Sequence, residues 1–192
     1  MKTLTTNKLT ICCGDLSKFH YDRFDFYESN GFVTIIPEVC YRIEEEFEKQ
    51  GWEKHNTIIH LHTPEDFHTP QQMRLLARRV GEVINLGYKI LITTNNDYLL
   101  HELNTLITLY WKSNNNIPSN ELELEDNPTV VDKICQEYQY NSKQFLNPND
   151  VIAYDYIKRT KQCKMDNYGI EIPSIDNTIA EVNKIMDLLI FE

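Results

Sequence analysis

No apolar run in this sequence approaches the roughly 20 residues that a membrane helix requires, and Met1 to Thr10 holds no long apolar stretch of the kind a secretory leader needs. The expectation is a cytoplasmic chain with no membrane partner. Cysteine offers no framework either. Cys12, Cys13, Cys40, Cys135 and Cys163 are odd in number and never spaced C-x-x-C, so reduced and mostly buried thiols are expected. Glycine is sparse: Gly14, Gly31, Gly51, Gly81, Gly87 and Gly169 form neither G-x-x-x-x-G-K-[ST] nor G-x-G-x-x-G, so the usual phosphate-cradling loop is missing. Its nearest approach, Gly14-Asp15-Leu16-Ser17-Lys18, lacks the second glycine before the lysine. Positive charge is also short. The 19 Lys and Arg face 29 Asp and Glu, and a net charge of −10 repels phosphate backbones, so direct nucleic-acid binding is not expected.

What is present is an ordinary globular composition, 41% hydrophobic and 25% charged over 192 residues, which suits one domain and excludes both disorder and a coiled-coil rod. Leu9 to Cys13 predicts a strand, and Phe32 to Ile36 a second apolar run that stops at Pro37. Val39, Ile43 and Phe47 recur every four residues among glutamates and predict an amphipathic helix ending at Gly51. Thr57 to Leu61 predicts a buried strand. After Thr69-Pro70, the residues Met73, Leu76, Val80, Val83 and Ile84 predict a helix capped at Gly87. Tyr88 to Thr93 is apolar on both faces, as in a sheet covered on each side. A third helix spans Asp97 to about Trp111.

Strands and helices alternating through short connections predict an α/β protein with a mainly parallel sheet and flanking helices. Residues 112–127 (KSNNNIPSNELELEDN) form a polar surface loop. Beyond it come a short helix at Thr129 to Tyr138, a strand at Val151 to Ile157, and a last helix with Ser174 as N-cap. In that helix Ile175, Ile179, Val182, Met186 and Leu189 make an apolar stripe suited to a core. The acidic groups Glu44, Glu45, Glu46, Glu48 and Glu121, Glu123, Glu125, Asp126 read as solvated faces, with DNA mimicry as their functional alternative.

His60 and His62 stand two apart on a predicted strand and so share a face, with Glu65, Asp66 and His68 close behind. Imidazoles and a carboxylate in that spacing suit zinc or another divalent metal, so His60, His62 and His68 are the candidate ligands. The structural alternative is a set of hydrogen-bonded polar residues at a strand end. No Ser/His/Asp or Cys/His set can be assembled from spacing, so no catalytic residue is assigned.

One stretch goes beyond generic α/β: Ile58-Ile-His-Leu-His-Thr-Pro-Glu65, Thr69-Pro70, Leu75-Leu-Ala-Arg78, and Ile92-Thr-Thr-Asn-Asn-Asp-Tyr-Leu-Leu-His101 continuing to Ile107. It resembles the second half of an ABC-type ATPase of the OLD/SMC-like AAA group, many of whose members are defence-associated. There a strand ends in Asp-Glu-Pro-Glu, a Leu-His-Pro follows, and a second strand ends in Thr-Thr-His-Ser-Asp-Tyr. A weaker likeness covers Asn147 to Tyr154 and Tyr168-Gly-Ile onward, so that residues 57–192 are spanned. The resemblance divides a single domain into an unassigned segment 1–56, a core at 57–111, the loop 112–127 and a C-terminal part 128–192.

The departures carry the functional reading. The resemblance puts the magnesium-orienting aspartate at His62 and the water-activating glutamate at Thr63. Threonine is no general base near neutral pH, and imidazole prefers softer metals than magnesium. The γ-phosphate-sensing histidine falls at Asn95, followed by Asn96, while Glu65 and Asp97 persist as turn and cap. The resemblance therefore implies a pseudo-ATPase without nucleotide cofactor. It implies a protein partner, an intact ABC-type ATPase or its effector, met through a surface that includes Tyr98 and His101, in a phage or mobile-element versus host-defence setting. A homodimer is a further possibility. The rival readings are a metal-dependent hydrolase built on the histidines, and an ATPase subunit completed by a partner chain.

Overall fold

The computed structural model describes residues 8–14, 31–35, 37–54, 56–64, 69–114, 129–156, 160–166, 168–176 and 183. Its centre is the strand β1 (Leu9–Gly14), whose residues 9–13 are all buried, as a strand covered on both faces requires. Strands β2 (Gly31–Ile35), β3 (Thr57–His62), β4 (Lys89–Thr93), β5 (Val151–Tyr156) and β6 (Thr160–Gln162) complete a six-stranded sheet in the order β2-β3-β4-β1-β5-β6. Every pairing is parallel except β5 with β6. The expected α/β architecture with a mainly parallel sheet is therefore the observed one. The segment 1–56, to which the resemblance gave no role, supplies the central strand and an edge strand.

The helix expected over Val39 to Gln50 is two pieces, α1 (Pro37–Cys40) and α2 (Ile43–Gln50). The side chain of Arg79 donates Nε–H to the Cys40 carbonyl at 3.0 Å, taking an acceptor that a continuous helix would use. Gly51 ends α2 at φ 68°, a backbone that glycine adopts without strain. In α3 (Pro70–Asn85) a capping box opens the helix: Thr69 Oγ1 accepts from Gln72 N–H, Gln72 Oε1 accepts from Thr69 N–H, and Pro70 stands at N1. Its buried face is Met73, Leu76, Ala77, Val80, Val83 and Ile84.

The next helix, α4 (Asp97–Asn114), runs three residues past the expected end at Trp111, so the polar loop expected at 112–127 begins later. Ser113 Oγ and Asn114 Nδ2 donate to the Tyr110 carbonyl and satisfy an acceptor that the helix end would otherwise leave open. Residues 115–128 lie outside the described residues. Beyond them, α5 (Val130–Tyr138) opens on a second capping box, Thr129 with Asp132. Strand β5 matches its expected span except for Ile157, outside the described residues, while β6 and the hairpin of β7 (Lys164–Asp166) with β8 (Gly169–Glu171) were not expected. Ser174 is not an N-cap: residues 173–176 are helical, so Ser174 lies inside the first turn. Ile179, Val182, Met186 and Leu189 lie outside the described residues.

Two apolar layers flank the sheet. The larger joins Leu9, Ile11, Ile59, Leu61, Ile90 and Ile92 to the buried faces of α3 and α4, and the smaller, on the opposite face, contains Cys12, Leu91, Tyr154 and Tyr156. Glu102 of α4 is buried and accepts from Arg74 Nε at 2.8 Å and Arg78 Nε at 2.6 Å, tying α4 to α3. Burial pushes its carboxyl up, but bonds from Arg74, Arg78 and Tyr140 outweigh that and hold it below the usual carboxylate range. All five cysteines are free thiols, three of them buried. Burial pushes Cys12 up, and Cys40 up to about 12, so neither resembles an activated nucleophile. No helix among the described residues is long and apolar enough to cross a membrane.

Gly81 is where α3 comes closest to the turn at Ser142–Gln144, and a methyl group there would run into the Gln144 carbonyl oxygen. Gly81→Ala is expected to destabilise the protein by about 1–3 kcal/mol through overpacking, seen as a fall of several degrees in the thermal midpoint followed by circular dichroism. An unchanged midpoint would mean that the turn does not seat on α3.

Candidate functional site

Strand alternation places Ile59 and Leu61 under the helices and turns Ile58, His60 and His62 to the opposite face. His60 and His62 thus share a face, as their spacing required. Their neighbours come from the register. His60 lies beside Thr34 of β2, and the row one step on runs His62, Thr93, Cys12, Tyr154 across β3, β4, β1 and β5.

Thr93 is the hub of this row. Its Oγ1 lies 3.1 Å from His60 Nε2 and 2.7 Å from His62 Nδ1, and His60 Nδ1 makes a longer 3.4 Å contact with Thr34 Oγ1. A threonine hydroxyl has one proton, so Thr93 donates to one imidazole and accepts from the other. The chain Thr34–His60–Thr93–His62 is therefore polarised end to end. With His62 protonated, its Nδ1–H donates to Thr93, Thr93 donates to His60 Nε2, and His60 donates from Nδ1 towards Thr34. His60 is fully buried, whereas His62 is exposed.

Backbone bonds lock the same strand ends. Thr63 N–H donates to the Thr93 carbonyl at 2.8 Å, and Thr94 N–H donates to the Cys12 carbonyl at 3.0 Å. Thr63 holds φ 37°, a left-handed backbone that is uncommon and strained for a β-branched residue. The following helix is capped by Asn96, not by Asp97: Asn96 Oδ1 accepts from Leu99 N–H at 2.9 Å, and Asn96 N–H donates to Thr94 Oγ1 at 3.0 Å. Asp97 stands at the first helical position and pairs with His101, Nε2 to Oδ1 at 3.0 Å. Tyr98 and His101 are both exposed on the outer side of α4, next to the exposed Asn95.

Of the candidate metal ligands, the structure brings His60 and His62 together on one face. Both ring nitrogens of His60 lie near threonine hydroxyls, and the His60 and His62 rings are tilted at 5.4 Å between centroids. No three His, Cys, Asp or Glu side chains among the described residues converge as a metal-binding group. Glu65, Asp66 and His68 lie outside the described residues. Sequence reasoning missed Thr34 and Thr93 as partners of the histidines, because the bonds cross strands far apart in the chain. No family model matches the chain, and no characterised protein or solved structure is significantly similar to it.

Burial, helped by the neighbouring His62, lowers the His60 pKa from 6.5 to about 4. The folded protein thus resists a proton that the unfolded chain takes up near pH 6.5. The stability this confers is complete above pH 6.5 and is lost as the pH falls from there to about 4, a change of about 3 kcal/mol. Urea unfolding at pH 7 and pH 4 should show the wild type losing about that much more stability than His60→Gln. Equal losses would place His60 in contact with solvent.

Proposed function

We propose that this chain is a non-catalytic, pseudo-ATPase-like cytoplasmic protein that binds an intact ABC-type ATPase of the OLD/SMC-like group, or that ATPase's effector, as an inhibitor, decoy or trigger in host defence. The observation that carries this reading is the double engagement of Thr93 Oγ1 by His60 and His62. In the group that residues 58–107 resemble, the same strand end bears carboxylates for magnesium and for water activation. Here it offers two imidazoles and a neutral hydroxyl whose single proton is already committed. Magnesium seeks oxygen ligands, and attack by water needs a base, so these side chains support neither step.

The neighbouring surface supports the partner half of the reading. Asn95, Tyr98 and His101 lie exposed where α4 leaves the sheet, and a half-exposed tyrosine beside polar groups is the residue type enriched at protein interfaces. A lobe that keeps the strands while lacking the carboxylates can pair with an intact head and leave it without half of its catalytic groups.

Mixing the purified chain with an intact OLD/SMC-like ATPase is expected to give a saturable complex by sedimentation and at least a severalfold change in ATP hydrolysis. The paired substitutions Tyr98→Ala and His101→Ala should abolish both. Mg-ATP alone should leave the thermal midpoint unmoved. A binder at 100 times its Kd would add about 2.7 kcal/mol, roughly 5–10 °C for a chain of this size. Such a shift, or hydrolysis by the chain alone, would overturn the non-catalytic reading.

A further inference from the structure

The exposed Tyr98 borders a cluster of charge that the fold leaves unbalanced. Glu102 stands one turn after Tyr98 on the same side of α4, and its side chain is 3% exposed, with Arg78 Nε 2.6 Å from Oε1 and Arg74 Nε 2.8 Å from Oε2. Two guanidiniums therefore share one carboxylate. The two arginines differ in what else they hold. Arg78 has a side chain 13% exposed, donates Nη1–H to the Tyr138 carbonyl at 3.1 Å and lies 4.0 Å over the Tyr140 ring, so it is spent within the fold. Arg74 is 46% exposed. It meets Glu102 and the Tyr140 hydroxyl, and its remaining N–H groups have no partner among the described residues.

Arg78 already balances Glu102, so Arg74 is a surplus positive charge, held by a buried anchor in a chain of net charge −10. Nearby carboxylates are engaged elsewhere. Asp97 pairs with His101, and Glu137 meets the Tyr138 hydroxyl. Around Arg74 the surface is apolar and aromatic: Leu75 is its neighbour on α3, Tyr98 lies one turn before its anchor, and the Tyr138 carbonyl is held by Arg78. All three side chains belong to the exposed large hydrophobics. An arginine among tyrosines is the composition enriched at binding hot spots.

A planar guanidinium with free N–H groups takes a carboxylate through two parallel bonds. Glu102 fixes the orientation of Arg74 beforehand, so little side-chain freedom is left to lose on binding. We propose that Arg74 anchors the partner-binding face, and that the partner places there a carboxylate side chain flanked by apolar ones. The proposal rests on the partner reading above for which protein binds, and on Arg74 and its surroundings for the chemistry of the contact.

The probe is an acetylated and amidated pentapeptide of alternating leucine and glutamate, with a counterpart carrying glutamine in place of glutamate. Titration followed by NMR is expected to shift the Arg74 Nε–H and the backbone amides of Leu75 and Tyr98 saturably with the acidic peptide, and with about tenfold lower affinity or less for the glutamine peptide. Arg74→Gln should abolish that preference, and Arg74→Lys, which keeps the charge but not the fork, should restore only part of it. Glu102 keeps Arg78 in both variants, so α3 and α4 stay tied. Arg74→Gln should also weaken the complex with an intact OLD/SMC-like ATPase by about tenfold or more. No saturable shift, equal affinity for the two peptides, shifts confined to other surfaces, or an ATPase complex untouched by Arg74→Gln would each overturn the proposal. Peptide binding at Arg74 with no ATPase complex would overturn the partner named above and leave this contact standing. If Arg74→Gln fails to fold, the peptide pair and Arg74→Lys decide.

Discussion

The whole architecture hangs on the placement of residues 9–14 between two strands that enter the chain much later, at Lys89 and at Val151. Until β4 and β5 both exist, β1 has no complete set of backbone partners, and residues 9–13 cannot be buried without leaving peptide groups unsatisfied. Register is set at the entrance to the strands. Lys8 pairs with Asp150 at 2.9 Å, and the Lys8 carbonyl accepts from Ile90 N–H at 2.8 Å, so one residue aligns β1 with both neighbours. Pairings this distant in sequence make loop closure a large part of the folding barrier. They also bring the carboxyl ends of β3, β4, β1 and β5 to one rim.

That rim explains how histidines survive inside a covered sheet. An unsatisfied buried imidazole would be strongly unfavourable, and a charged one more so. Thr34 and Thr93 provide hydroxyls on either side of His60, and a hydroxyl can reverse its role to match whichever tautomer is present. His60 therefore stays neutral near pH 7, while His62 meets solvent. A carboxylate at either position would have to share a hydroxyl proton with an imidazole, or draw a cation into the rim. The histidine and threonine side chains remove that need.

Local signals in the sequence carried the strands, the long helices and the shared face of His60 and His62. What stayed hidden is tertiary in origin. The break at Tyr41 and Arg42 leaves the four-residue spacing of Val39, Ile43 and Phe47 intact, so periodicity is blind to it; Arg79, from another helix, makes the break by taking the Cys40 carbonyl. The β7–β8 hairpin is too short to show alternation. It is held by Asn104 of α4, which both donates to the Ile170 carbonyl and accepts from the Ile170 N–H, with Gly169 packed against the same side chain. The end of α4 reads as loop because Ser113 and Asn114 are polar, yet those side chains are what close the helix. Thr93 looked like an ordinary strand end, since nothing local marks a hydroxyl as the partner of two histidines more than thirty residues away.

In an open parallel sheet, ligands are met at the carboxyl ends of the strands, where connections leave in opposite directions. Here that rim has two polar groups on opposite faces with opposite character. On β3 and β4 the Thr93 hydroxyl bridges His60 and His62. On β5 a buried carboxylate oxygen of Asp155 has no hydrogen-bond partner among the described residues and lies beside a cavity. The second arrangement depends on the turn at 173–176, whose Ser174 N–H fixes Asp155 Oδ2 and so determines which oxygen faces the cavity. It also depends on β6 and β8, which wall the space. The same scaffold thus separates a hydrogen-bonded row of imidazoles and hydroxyls from a buried carboxylate on the other face of the sheet.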